Sequence, residues 1–315
     1  MAVGMGHFMR CFAIGEEARA RGIDVTFLVN RAYDFQQQRC DAIGATLRTA
    51  DALGSDAAQL DAMLAPDDWL LVDSYEATSE YLAALHRFAR VAVIDDLNTF
   101  DRFDCDIVIN AAMSASRDAY TSKSTARLLL GAKYALIRRE FLTRTITKNP
   151  ERSVVVMFGG SDPTGLSSQV AERLLEALPD VSISVVLGPA GTQSWPLSKL
   201  FSRPRRLKIY SAPAKVSKVL RNAGLVVTAA GGSVGEVAAM RLPALVLVAY
   251  DNQAAALQAC PYPIIDVRQG LPDDLEAQVK ALFDDTARRK AIAAAAHKIV
   301  DGKGAKRIVE AMFGA

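Results

Sequence analysis

Short runs of β-branched and aliphatic residues alternate with longer stretches of helical period along almost the whole chain. The short runs span 25–29, 69–73, 91–95 and 107–110 in the first half, and 154–158, 183–187, 207–210, 225–228 and 244–248 in the second. The stretches between them favour helices at 7–21, 33–40, 55–64, 77–88, 164–178, 213–221, 233–241 and 252–259. Strands that are apolar on both faces and separated by helices are typical of parallel sheets covered on both sides. The sequence therefore predicts an α/β fold.

A polar segment at 144–153, which contains Pro150, interrupts this alternation. The chain has 315 residues, and a single domain usually takes about 150. We therefore expect two Rossmann-like domains, residues 1–143 and 152–315, that face each other across a cleft. Ligand sites in such folds lie at the carboxyl ends of the strands. The C-terminal segment favours helix throughout, and we expect its last helix to cross back to the first domain.

The charge balance and the cysteine pattern exclude several classes of protein. The 37 basic and 35 acidic residues leave a net charge of +2. A nucleic-acid-binding domain usually shows a clustered basic excess, so we expect no nucleic-acid partner. The four cysteines, at positions 11, 40, 105 and 260, lie far apart, which favours reduced thiols in a cytoplasmic protein over disulfides or a zinc site. The longest apolar run, 242–250, is too short to span a bilayer, so we expect no stable membrane insertion.

Three glycine turns precede predicted helices. The first, at 4–7, ends in His7; the second, at 158–164, follows the strand that opens the second domain; the third, at 229–236, ends in Glu236. Backbone N–H groups at such turns approach anionic ligands closely. The second turn is compatible with a phosphate site and with a plain helix start capped by Ser161 or Asp162. Glu236 either complements the helix dipole or accepts hydrogen bonds from ribose hydroxyls.

His7 is the histidine that stands in a catalytic setting. An imidazole titrates near neutrality and suits a general base, although a histidine in an isolated turn can equally cap or pack. His86 and His297 fall on predicted helices and are interpreted as surface residues. Asp104 and Asp106 mimic the DxD motif that binds a divalent metal ion in one class of sugar transferases. Here, however, they precede a strand in a two-domain layout, which that class does not use. We therefore expect no metal and no cofactor.

Eight sequence strings, taken in order, carry a resemblance to a known family. They are GMGHFMRC at 4–11, VDSY at 72–75, VIDDL at 93–97, CDIVIN at 105–110, LGAKYALIRREF at 130–141, FGGSDP at 158–163, GGSVGE at 231–236 and YDNQ at 250–253. Together they resemble the UDP-sugar hydrolases of pseudaminic acid biosynthesis, which are relatives of the glycosyltransferases of GT-B fold. The turns of the second domain alone also resemble the N-acetylglucosaminyltransferase of peptidoglycan synthesis, so they indicate the nucleotide rather than the reaction.

The resemblance implies a reaction and a set of site residues. The reaction is inverting hydrolysis of a UDP-linked acetamido-deoxy sugar at the anomeric carbon, with His7 as the general base for the attacking water. Gly6 and Tyr75 would contact the substrate in the first domain, Tyr75 near the sugar. In the second domain the resemblance implies that Glu236 holds the ribose and that Asn252 and Gln253 contact the sugar substituents and the diphosphate. It also implies diphosphate contacts from the residues of the two glycine turns, Gly160, Ser161, Gly232 and Ser233.

The chain departs from the family at three places. Family members place a strand before the first glycine turn; that strand is missing here, either because the sequence starts late or because the domain has lost its innermost strand. Ser74 and Glu76 replace the residues usual on either side of the tyrosine, and the stretch after Gln253 is short and contains Pro261 and Pro263. We therefore expect a different sugar specificity and a remodelled edge of the site.

Two other functions are compatible with the sequence. A glycosyltransferase of the same fold would use His7 to deprotonate a sugar or amine acceptor, although the first domain shows no apolar or basic run suited to a lipid-linked acceptor. A non-catalytic protein that binds nucleotide sugars would have lost its activity together with the first strand. If His7 is structural, Asp96 is the next candidate for a catalytic role.

Overall fold

The computed structural model describes residues 5–50, 56–65, 67–142, 152–160, 162–188 and 205–314. The chain divides into two compact units. Unit 1 comprises Met1–Arg139 together with Lys303–Ala315, and unit 2 comprises Glu140–Gly302. Each unit is built from parallel strands and helices, as the alternation in the sequence predicts. The polar segment predicted as the domain boundary, 144–153, lies largely outside the described residues.

The N-terminal part of unit 1 alternates helices and short strands. The elements are α1 (Met5–Ala20), β1 (Thr26–Val29), α2 (Asp34–Ile43), β2 (Thr46–Thr49), α3 (Ala57–Met63), β3 (Trp69–Val72), α4 (Ser79–Leu85), β4 (Arg90–Ile94), β5 (Ile107–Asn110), α5 (Asp118–Thr121) and β6 (Arg127–Leu130). Strands β1 and β2 form a parallel pair, and β3, β4, β5 and β6 form a parallel sheet in that order. Among the described residues no strand precedes α1, and the pair and the four-stranded sheet are separate.

Apart from Arg90 and Asn110, the central strands of the four-stranded sheet consist of apolar residues, which are buried on both faces. On one face Val91 and Val93 of β4 pack in a cluster with Leu82 and Leu85 of α4. On the other face Ala92 and Ile94 of the same strand share a cluster with residues of α1. This alternation along one strand is the pattern expected of a parallel sheet covered by helices on both sides.

Helix α1 also packs against the two-stranded pair. Phe8 and Phe12 of α1 form a buried aromatic cluster with Phe27 of β1 and with Cys40 of α2. A Cβ atom added at Gly15 would lie 2.6 Å from the Phe27 ring, so the helix approaches β1 too closely there for a larger residue. One helix therefore contacts both sheets of unit 1.

Unit 2 contains a single six-stranded parallel sheet. Its elements are β7 (Ser153–Met157), α6 (Leu166–Ala177), β8 (Ser182–Leu187), β9 (Leu207–Ser211), α7 (Val216–Leu220), β10 (Leu225–Ala229), α8 (Gly232–Ala239), β11 (Ala244–Val248), α9 (Ala256–Ala259), β12 (Ile264–Asp266), α10 (Leu275–Asp284) and α11 (Thr286–Ile299). The strand order is β12-β11-β10-β7-β8-β9. The chain thus begins at the central strand β7, adds β8 and β9 on one side, and then returns to add β10, β11 and β12 on the other side. This is the doubly wound Rossmann order, whose switch point lies between β7 and β10.

The core of unit 2 follows from its strand sequences. Every residue of β7, β10 and β11 is buried, and α6 presents Leu166, Val170 and Leu174 to the sheet. The spacing of four residues places these three side chains on one stripe of the helix. In neither unit does a described helix combine the length and the apolar character that crossing a membrane requires.

The last helix, α12 (Gly304–Phe313), packs in unit 1. Ile308, Val309 and Met312 share a buried cluster with Ile14 and Ala18 of α1. The expected crossing of the C-terminal helix back to the first domain is confirmed. Residues 303–315 therefore belong to unit 1, whereas the sequence division had grouped them with residues 152–302.

Candidate functional site

In unit 1, the predicted base lies in the first turn of a helix. Helix α1 begins at Met5, so Gly6 and His7 both belong to its first turn. The Nδ1 atom of His7 lies 2.7 Å from Oδ1 of Asp73, which comes directly after β3. The side chain of Asp73 is 3% exposed and that of His7 is 18% exposed. The imidazole therefore rests on a buried carboxylate while part of its surface stays accessible.

Arg10 joins this pair to a second carboxylate. Its Nε and Nη2 atoms donate to the two oxygens of Asp73, a bidentate arrangement. Its Nη1 atom donates to Oδ2 of Asp96 at 2.7 Å. Asp96 lies just beyond β4, the neighbour of β3 in the parallel sheet, so both carboxylates stand at the same edge. Bidentate Arg–carboxylate pairs are among the stronger and more directional polar contacts in proteins.

Tyr75 completes the cluster. Its hydroxyl donates to Oδ2 of Asp96 at 3.2 Å, and its ring meets the His7 ring edge-on with 4.5 Å between centroids. The residue is 54% exposed. The structure thus brings together the three residues predicted in the first domain, Gly6, His7 and Tyr75, on one side of unit 1.

Adjacent aspartates at the end of β4 have different roles. Asp95 is buried; its carboxylate accepts hydrogen bonds from the Tyr120 hydroxyl at 2.8 Å and from the Asn98 amide at 2.9 Å. Asp96 points to Arg10 and Tyr75 and is 35% exposed. Asp95 therefore supports the loop, and Asp96 is the carboxylate available at the surface.

The charges of the cluster are fixed by its contacts. Burial alone would raise the pKa of Asp73, but hydrogen bonds from Arg10 and His7 outweigh burial and hold that pKa below its usual range. Burial would lower the pKa of Arg10, yet Asp73 and Asp96 raise it well above the ordinary value. Burial, reinforced by Asp73, raises the pKa of the Cys11 thiol. Near neutral pH Asp73 is therefore a carboxylate, Arg10 is a guanidinium, and Cys11 is a thiol rather than a nucleophilic thiolate.

In unit 2, the turn after β7 brings two glycines to a close approach. A Cβ atom at Gly188, just past β8, would lie 2.3 Å from the carbonyl oxygen of Gly160. Gly159 has a φ of +83°, a conformation that favours glycine. At its closest point, this turn therefore packs its backbone directly against the backbone at Gly188, with no room for a side chain there. Ser161, predicted next to Gly160, lies outside the described residues.

The same turn is closed by Asp162. Its carboxylate oxygens accept hydrogen bonds from the backbone N–H groups of Leu166 and Ser167, each at 2.9 Å. The residue is buried and has a φ of +40°, in the left-handed region. Asp162, one of the two capping candidates in the sequence, thus satisfies the first two backbone N–H groups of α6.

The third glycine turn leads directly from β10 into α8. Gly232 and Ser233 are the first two residues of this helix, and Glu236 lies one turn further along it, partly buried. The early N–H groups of a helix lack intrahelical partners and carry its positive dipole end. Strands β7 and β10 are neighbours, so this turn and the Gly160 turn stand at the switch point of the sheet. Doubly wound sheets bind their ligands at this location.

The loop after β11 adjoins both turns. The side-chain oxygen of Gln253 accepts a hydrogen bond from the Ala249 amide at 3.0 Å, and its Nε2 lies 4.0 Å from where a Cβ of Gly231 would be. The Tyr250 hydroxyl lies 3.4 Å from the hydroxyl of Thr164 in the turn after β7. Gln253 is thus placed beside the third glycine turn. Asn252 falls in the same short 3-10 turn, with its side chain outside the described part of the structure.

The DxD-like pair has structural partners. Asp104 forms an ion pair with Arg102, and Asp106 accepts a hydrogen bond from the Val91 amide at 2.8 Å and pairs with His86 at 3.2 Å. Across the described residues, no group of three or more histidine, cysteine or acidic side chains is arranged to hold a metal ion.

Two residues of the unit 1 cluster were not assigned from the sequence: Arg10 and Asp73. Arg10 lies three positions after His7, on the same face of a helix, which is a detectable signal. Asp73 is an acidic residue directly after a predicted parallel strand, where site residues collect. Its partner is 66 positions away along the chain, so its role required the fold.

No family model matches the chain. The chain is 24% identical over 267 residues to the uncharacterized protein MJ1062 of Methanocaldococcus jannaschii. That match covers 80% of this chain and 54% of the relative, so the chain spans about half of the relative's length. The spore coat polysaccharide biosynthesis protein SpsG of Bacillus subtilis is 23% identical over 253 residues, covering 76% of this chain and 75% of SpsG.

Solved structures show the same fold at low sequence identity. MurG of Acinetobacter baumannii has a TM-score of 0.63 at 13% identity, covering 98% of this chain and 96% of MurG. HepE of Anabaena, solved in complex with UDP-glucose, has a TM-score of 0.62 at 16% identity, covering 100% of this chain and 98% of HepE. These similarities show that the chain has the two-domain, Rossmann-like fold of the GT-B glycosyltransferases.

Proposed function

We propose that the protein is an enzyme that hydrolyses a UDP-linked acetamido-deoxy sugar, releasing the free sugar and UDP. The observation that carries the proposal is His7: a partly exposed imidazole in the first turn of a helix, resting on a buried carboxylate and edge-on to Tyr75. The fold supports a nucleotide-sugar substrate, because HepE, which shares it, was solved with UDP-glucose. The name of SpsG, a polysaccharide biosynthesis protein, points to the same area of metabolism.

In the proposed reaction His7 takes a proton from water while the water oxygen bonds to the anomeric carbon. The bond between that carbon and the diphosphate oxygen breaks, its electron pair leaves with UDP, and the configuration inverts. A positioned base contributes roughly 10²–10⁴-fold to such a step. Tyr75 would contact the sugar beside His7, and Gly6 would leave room for the substrate at the start of α1.

The nucleotide would bind unit 2. The backbone N–H groups at the Gly160 turn and at Gly232 and Ser233 would stabilise the charge that grows on the departing diphosphate, together with Ser161. Glu236 would accept hydrogen bonds from the ribose hydroxyls. Gln253, which the structure places beside the α8 turn, and Asn252 would contact the diphosphate and the sugar substituents. The four cysteines are free thiols, which is consistent with a cytoplasmic enzyme.

The test is incubation of the protein with UDP-linked sugars, with and without candidate acceptors. We expect equal amounts of UDP and free sugar without any acceptor, and proton NMR at early times should show the inverted anomer. Release of UDP only when an acceptor is present would instead establish a glycosyltransferase. Tight UDP-sugar binding with no release under either condition would establish a binding protein.

A further inference from the structure

The contact between His7 and Asp73 determines which nitrogen of the imidazole is free. An ionised carboxylate can only accept hydrogen bonds, so a neutral His7 must donate from Nδ1 to Oδ1 at 2.7 Å. Its lone pair then lies on Nε2. We infer that Asp73 is a positioning residue that fixes the Nδ1–H tautomer of His7, so that Nε2 is the atom that takes the proton from water. This inference rests on the proposed function and adds to it a residue with no direct substrate contact.

A contact from Arg10 could argue for the opposite tautomer. Its Nη2 lies 3.3 Å from Nδ1 of His7, and an arginine N–H could donate to a bare Nδ1. The contact to Asp73 is shorter, and the same Nη2 also donates to Oδ1 of Asp73. Nδ1 of His7 and Nη2 of Arg10 therefore both donate to Oδ1 of Asp73. The two nitrogens lie close together because they share this acceptor.

Arg10 also keeps Asp73 from acting as a base itself. The other oxygen of Asp73 accepts from Nε of Arg10 and lies 3.5 Å from Sγ of Cys11. With donors on both oxygens and almost no exposed surface, Asp73 is shielded from solvent protons. Its negative charge then stabilises the imidazolium that forms when His7 takes a proton.

The other two histidines supply internal references for the tautomer. Nδ1 of His297 lies 3.1 Å from the carbonyl oxygen of Ala238, an atom that can only accept, so its neutral ring carries the proton on Nδ1. His86 pairs with Asp106 through Nε2 at 3.2 Å, so its neutral ring carries the proton on Nε2. The chain thus holds one example of each tautomer outside the site.

Nitrogen-15 NMR of the histidine rings, at a pH where they are neutral, tests the inference without any substrate. The His7 signals, identified by their loss in His7→Asn, should match the His297 pattern rather than the His86 pattern. An Nε2–H tautomer of His7 in the unmodified protein would overturn the inference. The NMR measurement needs no turnover, so it can contradict the tautomer inference while hydrolysis is observed. It can equally support the Nδ1–H tautomer in a protein that does not hydrolyse UDP-sugars.

The variant Asp73→Asn tests the consequence for catalysis. An asparagine amide can donate to Nδ1, so we expect the His7 spectrum to move toward the Nε2–H tautomer and kcat to fall about 10²-fold or more, with UDP affinity unchanged. Asp106→Asn is the matched control and should leave the His7 spectrum and kcat unaltered. An unchanged His7 spectrum in a folded Asp73→Asn protein would contradict the inference. If that variant does not fold, Asp73→Glu should retain the Nδ1–H spectrum.

The pH profile separates positioning from a merely structural role. The charged and titratable groups around the His7 ring are Arg10 and Cys11 on α1, Asp73 and Tyr75 after β3, and Asp96 after β4. Loss of the Asp73 charge removes the main support for imidazolium. The acidic limb of the kcat profile should therefore move to lower pH in Asp73→Asn, and an unmoved limb with reduced kcat would indicate only a structural loss.

Discussion

The two units present different chemistry at the same place in their folds. In unit 1 the carboxyl edge of the sheet and the first turns of α1 carry titratable side chains: Arg10 contacts His7, Asp73 and Asp96 there, and His7 also contacts Asp73. In unit 2 the corresponding edge carries glycines and a helix start, so the backbone N–H groups are exposed instead. Side chains can exchange protons, whereas backbone amides offer fixed partial charges to an anion. Under the proposed function, proton transfer would belong to unit 1 and anion binding to unit 2.

The two units also differ in how their strands are joined into sheets. Unit 2 has one continuous sheet with β7 at its centre, whereas the described strands of unit 1 form separate sets of two and four. Helix α1 contacts both sets through Phe12 and Ile14. In unit 1 this helix therefore links two separate sets of strands, whereas in unit 2 the central strand β7 links the two halves of one sheet. The helix that carries the predicted base is therefore also a central packing element.

The largest expected effect tests whether proton transfer belongs to unit 1 alone. His7→Asn should lower kcat by roughly 10²–10⁴-fold while the Kd for UDP stays within a factor of about two, because the proposed nucleotide site lies in unit 2. Steady-state kinetics and calorimetric UDP titration measure the two quantities. His86→Asn, which changes an exposed histidine, is the control. Parallel loss of turnover and UDP affinity would break the division of labour between the units.

The next effect tests whether unit 2 recognises the nucleotide with a side chain as well as with its backbone. Glu236→Ala should weaken UDP binding by about 1–3 kcal/mol, the scale of losing a hydrogen bond to a charged group. Glu176→Ala, an exposed glutamate on α6, provides the matched control in the same titration. An unchanged Kd would mean that Glu236 serves only its helix.

A pair of glycine substitutions contrasts the backbone packing of the two units. Gly188→Ala would place a methyl group 2.3 Å from the carbonyl oxygen of Gly160, and we expect a loss of about 1–3 kcal/mol in unfolding free energy. Gly6→Ala in α1 meets nothing within 4 Å and should cost no stability. Chemical denaturation of both variants measures the difference. Equal unfolding free energies for the two variants would show that the backbone at Gly188 has room for a methyl group, which would contradict the close approach to Gly160.

The smallest effect concerns the cap of α6. Asp162→Ala removes the acceptor of two backbone hydrogen bonds and should cost about 1 kcal/mol of unfolding free energy. Asp162→Asn retains one side-chain oxygen and tolerates a positive φ, so its cost should be smaller. Thermal melting compares the two. A loss in the asparagine variant as large as that in the alanine variant would show that both carboxylate oxygens are needed and that the smaller cost expected for asparagine is wrong.

The fold was predictable because most strands carry a strong signal. Runs such as 91–95 and 225–228 are apolar at every position but the last, and each lies in a buried parallel strand. The sequence interpretation missed β2, β6 and β12. All three are edge strands with exposed or partly exposed residues, and an edge strand needs no continuous apolar run. Local patterns therefore identify the centre of a sheet better than its margins.

The site was predictable where one residue carries the signal within a local motif. His7 stands out as the histidine of a glycine turn, and the structure places it in the polar cluster of unit 1. Asp73 depends on contacts across more than sixty positions of the chain. The pair Asp95 and Asp96 shows a second limit: two identical neighbours differ in burial, and the contacts that hold Asp95 inside come from Asn98 and Tyr120, further along the chain.

The packing of α12 against α1 has a consequence for how the chain folds during synthesis. Ile14 and Ala18 are buried with Ile308 and Met312, residues made only after all of unit 2 has been translated. Domains generally fold in the order in which they leave the ribosome. Unit 2 is continuous and can reach its native state first, whereas unit 1 must keep an apolar stripe of α1 uncovered until α12 emerges. Helix α1, which carries the predicted base, would thus complete its packing only after α12 has been made.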